Sequence, residues 1–234
     1  MYVAADTDRQ VIPWVRVKGA GGTVKIYRST ESTLPEDQIT PGAMRKMDCI
    51  DCHNRPTHIY HPPERSVNHI MSLGWIDARL PNIKSVAIGA LEAPYRTQQG
   101  GLDSIGIAVR EYYGTNMPAV ADTMKRAIDS AVAEIGRIYA RNYFPEMGVS
   151  WRKFPNNIGH MYYPGCFRCH DNKHVSEEGK VLTRDCNVCH LVLAQEIGTA
   201  PVRVDLAGLK YQHPVDVGDA WKESNCSDCH GTSQ

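Results

Sequence analysis

The sequence predicts a mainly α-helical fold with much irregular structure and a small N-terminal β-hairpin. Three observations predict it. Residues 66–143 carry apolar side chains at three- and four-residue steps and contain no cysteine. Residues 144–234 are rich in proline and glycine, and their apolar runs are short. A five-residue frame, Cys-x-x-Cys-His, occurs four times, as Cys49–Cys52–His53, Cys166–Cys169–His170, Cys186–Cys189–His190 and Cys226–Cys229–His230. The frames use all eight cysteines of the 234-residue chain.

Residues 1–46 read as a hairpin and a linker. Val15 and Val17 alternate with polar residues, Val24 and Ile26 do the same, and Gly19-Ala20-Gly21-Gly22 supplies the turn. Pro13 places the first strand at an edge or delays its start. Polar residues with Pro35 and Pro41 follow. Residues 47–65 hold the first frame, then Pro56, Pro62 and Pro63 with His58 and His61, which predicts an extended loop.

In residues 66–143, Ser66 is the expected N-cap of a short helix that stops at Gly74. Pro81 opens a second, with Ile83, Val86, Ala87, Ala90 and Leu91 on one face, ending before Pro94. A third runs from Leu102 to Tyr113 with Gly114 beyond its end. The longest spans Pro118 to Asn142, with Val120, Met124, Ala127, Ala131, Ile135 and Ile138 in a stripe. Such a stripe is more often core than cofactor contact, so this block is read as scaffold. Residues 144–234 hold three frames, and little regular structure is expected beyond short helices carrying them. The four segments are expected to form one compact unit.

Paired Cys-x-x-Cys units can build tetrathiolate zinc sites, and eight cysteines can form disulfides. Neither explains a histidine after every second cysteine. Histidine fills 10 of 234 positions, so four such coincidences have a probability of about three in a million. The frame is the attachment signature of c-type haem: both thiols add to the haem vinyl groups, and the histidine is placed under the iron. The expectation is a multihaem cytochrome c wrapped around four covalently bound haem c groups, with Cys49, Cys52, Cys166, Cys169, Cys186, Cys189, Cys226 and Cys229 as attachment residues. His53, His170, His190 and His230 are the expected proximal iron ligands, and no catalytic residue is assigned.

Lys plus Arg equals Asp plus Glu at 26 each, which gives no electrostatic case for nucleic acid or an anionic membrane. Haem propionates would make the loaded protein mildly acidic. Covalent haem attachment is extracytoplasmic, so a periplasmic or extracellular location is expected. Residues 1–20 lack a basic start followed by an apolar core, and no window approaches a membrane span. An export signal or anchor is therefore expected outside this sequence.

Six histidines remain for the far side of the irons: His58, His61, His69, His160, His174 and His213. Histidine on both faces gives a low-potential, six-coordinate, electron-carrying haem. A chain path around a porphyrin edge needs nearly ~20 Å, and the four residues from His170 to His174 reach at most about 14 Å. His174 therefore serves a different iron, and the Cys186–Cys189 frame is nearest in sequence. His160 sits in a turn-rich segment before a frame, and His213 precedes Pro214, which extends its backbone. His58, His160, His174 and His213 are the distal candidates, with His61 and His69 in reserve. Arg55, Arg168 and Lys173 beside the frames are candidates for propionate pairing or for solvated charge.

Longer stretches resemble a known family. They are Met47-Asp48-Cys49-Ile50-Asp51-Cys52-His53-Asn54-Arg55-Pro56-Thr57-His58, Trp151 through His160 running into Pro164-Gly165-Cys166-Phe167-Arg168-Cys169-His170-Asp171, and His213-Pro214-Val215-Asp216. With Arg9 to Val17, they are similar to the C-terminal half of membrane-anchored NapC/NirT-type multihaem cytochromes c. The resemblance implies electron transfer from membrane quinol to extracytoplasmic acceptors, and His58, His160, His174 and His213 as ligands. It also implies redox partner proteins, among them a quinol-oxidising membrane module, although no membrane span lies within this chain. Two alternatives stand beside the electron carrier. One is a subunit of a haem filament built from copies of the chain; the other is a multihaem reductase with one open iron.

The frames set a stoichiometry. Denatured holoprotein should have the mass of the polypeptide plus four haems, with no reactive thiol; intact mass spectrometry and thiol titration check it.

Overall fold

The structure, a computed structural model, describes residues 1–53 and 58–230. The chain forms two compact units: Met1–His53 with Asn157–Asp228, and Asn54–Asn156 with Cys229–Gln234. The second unit is inserted in sequence between the two parts of the first.

The first unit begins with strand β1 (Tyr2–Val3), β2 (Trp14–Lys18) and β3 (Val24–Ser29). The expected hairpin forms in register, with Val15 opposite Tyr27 and Lys18 opposite Val24. Gly22 takes φ +81 in the turn, a left-handed value suited to glycine. Pro13 stays outside the strand, where its carbonyl accepts from the Ser29 amide at 2.9 Å. The polar linker returns to the sheet edge, because Tyr2 and Arg45 exchange backbone hydrogen bonds of 2.8 and 2.9 Å. Helix α1 (Cys49–Cys52) follows, closed by an Asp48/Asp51 capping box.

The second unit is helical, with α2 (Pro63–Ser72), α3 (Ile83–Glu92), α4 (Gln98–Asn116), α5 (Pro118–Thr123) and α6 (Lys125–Asn142). Several helix bounds differ from the sequence expectation for local reasons. Helix α2 starts one turn early: Pro63 takes the first helical turn, where a missing amide costs nothing, and Ser66 lies inside. Helix α4 begins at Gln98 because the Thr97 hydroxyl accepts from the Gly100 amide at 3.1 Å. It runs through Gly114 and stops before Pro118. The longest stripe bends at Met124 (φ −116, ψ 24), so one expected helix becomes α5 and α6. Hydrogen bonds from Met124 to Val120 and from Ile128 to Met124 continue across the bend.

The stripes meet in one core. Val67, Leu80, Ile83, Ala87, Leu91, Ile105, Val109, Ala131 and Ile135 are all buried. A short ribbon, β4 (Tyr143–Phe144) with β5 (Val149–Ser150), closes the insert.

Back in the first unit, β6 (His174–Ser176) pairs with β3 and completes an antiparallel sheet of order β1-β2-β3-β6. The C-terminal segment has more regular structure than expected: β7 (Val192–Gln195) and β8 (Arg203–Leu209) form a second hairpin. Its expectation as irregular rested on prolines and glycines, which here sit in the turns. Helices α7 (Ala220–Glu223) and α8 (Cys226–His230) end the described chain, and the sequence boundary between the units falls within α8. Among the described residues no helix is long and apolar enough to cross a membrane.

Gly101 tests the packing of α4 on α6. A Cβ there would come within 2.4 Å of the Tyr139 ring, which is buried and stacked on Tyr143 at 5.1 Å. Gly101→Ala should cost about 1–3 kcal/mol by overpacking, read as a lower thermal midpoint.

Candidate haem-iron centres

Each Cys-x-x-Cys-His frame lies on one helical turn. The carriers are α1, a 3₁₀ turn at Gly165–Arg168, a second at Cys186–Val188, and α8. The histidine amide bonds back to the first cysteine carbonyl in three frames: His53 to Cys49 at 2.7 Å, His170 to Cys166 at 3.0 Å, and His190 to Cys186 at 2.9 Å. Positions i, i+3 and i+4 of such a turn share one side, which is what two thioethers and one iron ligand on a single porphyrin require. None of the eight cysteines is in a disulfide. Among the described residues no group of three or more His, Cys, Asp or Glu side chains gathers as a tetrathiolate zinc site needs.

Residues inside the frames hold the first two together. Arg168 is 8% exposed, and its guanidinium donates to three backbone carbonyls: Gly165 at 2.9 Å, Arg9 at 2.7 Å and Asp51 at 2.9 Å. It is neither a solvated charge nor free for a propionate. Asp51, between Cys49 and Cys52, accepts from the Tyr2 hydroxyl at 2.5 Å and from Arg45 Nε at 2.8 Å. Burial pushes the Asp51 carboxyl up, but those bonds and the Asp48 amide outweigh it and hold it below the usual range. Lys173 pairs with Glu31 at 2.5 Å, and Arg55 lies outside the described residues.

The second frame is also joined to the segment ahead of it. The Asn157 amide donates to the Cys52 carbonyl at 2.9 Å. Gly165 has φ +55, and a Cβ there would lie 1.5 Å from the Gly159 carbonyl oxygen. Only glycine lets these two backbones pass.

The thiols of the first unit are neighbours. Burial, then the nearby Cys52 and Cys189, raises the Cys166 thiol; burial, then Asp185 and Cys226, raises that of Cys186. Cys169 lies in the sheet core with Tyr2, Ile12, Val15 and Tyr27, and burial pushes it up to about 12.

The histidines fall into distinct settings. His170 Nδ1 lies 3.2 Å from the Thr183 carbonyl. A carbonyl only accepts, so Nδ1 donates here, which leaves Nε2 as the ring nitrogen that a metal would take. His160 stacks on Phe167 at 4.5 Å and meets His190 edge-on at 5.9 Å. Its Nδ1 is buried with no hydrogen-bond partner. Burial, then the charges of His190 and Arg184, holds its ring below the ordinary histidine value.

His174 is held by protein groups. Expected to reach a neighbouring iron, it has both ring nitrogens on protein: Nδ1 on the Asp171 carboxylate at 2.9 Å, Nε2 on the Ile12 carbonyl at 2.6 Å. Burial lowers its pKa, and these two acceptors outweigh that and raise it. His213 Nδ1 lies 2.7 Å from the Val215 carbonyl.

His58, His61 and His69 line one cleft of about 600 Å³ in the second unit; the sequence places the first two beside the first frame and His69 in the block read as scaffold. Arg65, Arg137 and Arg141 line it too, over Trp75 and Ile138. The signal was present in the spacing: 61, 65 and 69 repeat every four residues, and 134, 137 and 141 share a face of α6. His61 Nδ1 is buried there without a partner.

The donor set therefore fits c-type haem: thiols and histidine share each turn, one proximal histidine is held in the ligating tautomer, and two distal candidates have an orphaned ring nitrogen. Donors of this kind are those that a multihaem cytochrome c uses. Over 229 residues, 98% of this chain, the sequence is 46% identical to the cytochrome c-type protein ImcH of Geobacter sulfurreducens, which supports that class. The chain spans 45% of that curated relative's length. No protein-family model matches the chain. No solved structure matches it either.

Arg168 gives the sharpest mutational test. Arg168→Met leaves three buried carbonyls without donors and should cost about 3 kcal/mol or more. Arg168→Lys, with a compact ammonium in place of the fork, should fall between. Thermal unfolding of the holoprotein measures both.

Proposed function

We propose that this chain is an electron-transfer module that holds four c-type haems outside the cytoplasmic membrane and passes electrons along them. The observation that carries the reading is the clustering of the frames, each on one helical turn, with Cys166 beside Cys52 and Cys189, and Cys186 beside Cys226. Haem supplies one-electron chemistry at iron; the protein supplies attachment, axial ligands, spacing and dielectric.

In this reading, the eight cysteines form the thioethers, and His53, His170, His190 and His230 bind the irons from the attachment side. His58, His160 and His213, with His61 and His69 in reserve, are the pool for the opposite faces; His174, with both ring nitrogens on protein oxygens, stands apart from it. Hydrogen bonds that close the frame turns fix the distances between cofactors, and Arg168 sets the first frame against the second. The relative's description as a cytochrome c-type protein and the resemblance to NapC/NirT-type cytochromes support redox proteins as partners, with a quinol-oxidising membrane module as donor.

Spectroscopy tests this. The oxidised protein should be low-spin at all four irons, the reduced protein should bind carbon monoxide poorly, and most midpoint potentials should be negative. Stoichiometric carbon monoxide binding by one haem of the native protein would favour a reductase instead.

A further inference from the structure

We propose that His160 and His190 are the two axial ligands of one iron, that of the haem carried by Cys186 and Cys189, and that His174 ligates no iron. The inference rests on the four-haem reading above and assigns the ligands of one of its centres.

The separation of the two rings is the first argument. Their centroids lie 5.9 Å apart with the planes at 70°. Two imidazoles on opposite faces of one metal, each bonded at about 2 Å, hold their centroids roughly 6 Å apart. Edge-to-face ring contacts also occur at this spacing, so distance alone does not decide. The hydrogen bonding does. His160 and His190 share no hydrogen bond, and His160 Nδ1 is buried with no partner. A ring held there purely for packing bears the cost of that orphaned nitrogen; a ring serving a metal gains a bond in exchange.

The position of His160 is also set from both sides. Asn157 ties the segment to the first frame through the Cys52 carbonyl. Gly165, having no Cβ, lets the Gly159 carbonyl pass against the second frame. Phe167, from inside that second frame, stacks on the His160 ring and fixes its plane, and Arg184 lies over Phe167 at 4.7 Å. Two frames thus aim one histidine at the third. The thirty positions between His160 and His190 remove the chain-reach limit that keeps His174 from the iron of His170.

His174 is built for a different task. Its two ring partners, the Asp171 carboxylate and the Ile12 carbonyl, only accept hydrogen bonds, so both ring nitrogens carry hydrogen. No lone pair remains for a metal. The ring is 2% exposed and bolts the segment before β2 to the second frame.

The test compares His160→Ala with His174→Ala in holoprotein shown by mass to carry four haems. His160→Ala should turn one of four haems high-spin, raise carbon monoxide binding from none to one equivalent per chain, and regain a low-spin spectrum on adding imidazole. His174→Ala should keep four low-spin haems and lower the thermal midpoint. A high-spin haem in His174→Ala, or an unchanged spectrum in His160→Ala, overturns the proposal. The iron of His190 is identified by a crystal structure of the wild-type holoprotein, which needs no variant: His160 on that iron supports the assignment, and another ligand there ends it. If wild-type protein lacks four low-spin haems, the electron-transfer reading itself fails, so the two failures are distinguishable.

Discussion

One guanidinium holds the first unit in register. Arg168, inside the second Cys-x-x-Cys-His frame, gives its donors to carbonyls from three segments that are distant from one another in sequence: Arg9, Asp51 inside the first frame, and Gly165 just ahead of the second. A buried cation among carbonyls is costly to desolvate, and the rigid fork offsets that cost only when its donors are met in the geometry it imposes. Small shifts of either frame break those bonds. Around this point Asp51 gathers Tyr2 and Arg45, and Asn157 reaches Cys52, so the sheet, the linker and the segment ahead of the second frame are all positioned from one polar cluster.

Helix existence and strand pairing were largely legible in the sequence, because each rests on local periodicity. The hairpin register, the stop at Gly74 and the apolar faces of α3 and α6 follow from alternation, glycine and three- or four-residue steps. Helix ends were less legible. Competing caps such as Thr97 and Pro63 differ in strength by fractions of a kcal/mol, and tertiary contact chooses between them. The β7–β8 hairpin was missed because prolines and glycines at its turns hide short strands.

The frames themselves are local, each a run of consecutive residues on one turn, and so are legible without tertiary structure. The distal side was only partly so. Chain reach separated His174 from the iron of His170 but gave no hint of the Ile12 carbonyl, which arrives from 162 positions away. Likewise, Arg168 beside a frame looked like a surface charge until the segments that bury it were in place. Of the cleft histidines, His69 lay in a block whose apolar stripe pointed to scaffold, and the helices supply both: one face packs the core, the other lines the cleft.

The position of Cys169 has a consequence for how the molecule is made. This thiol is 8% exposed and packs with Tyr2, Ile12, Val15 and Tyr27 beneath the sheet, where burial pushes its pKa to about 12. A thiol so enclosed is beyond the reach of a cofactor, and its nucleophilic form is suppressed. On the proposed reading, thioether formation at this residue precedes closure of the N-terminal sheet over it. Maturation would then have a built-in order, with the second frame loaded while the chain is open and the bond sealed afterwards by the sheet. An N-terminal segment that folds too early would shut the cofactor out, so slow docking of Tyr2 and Ile12 works in favour of assembly.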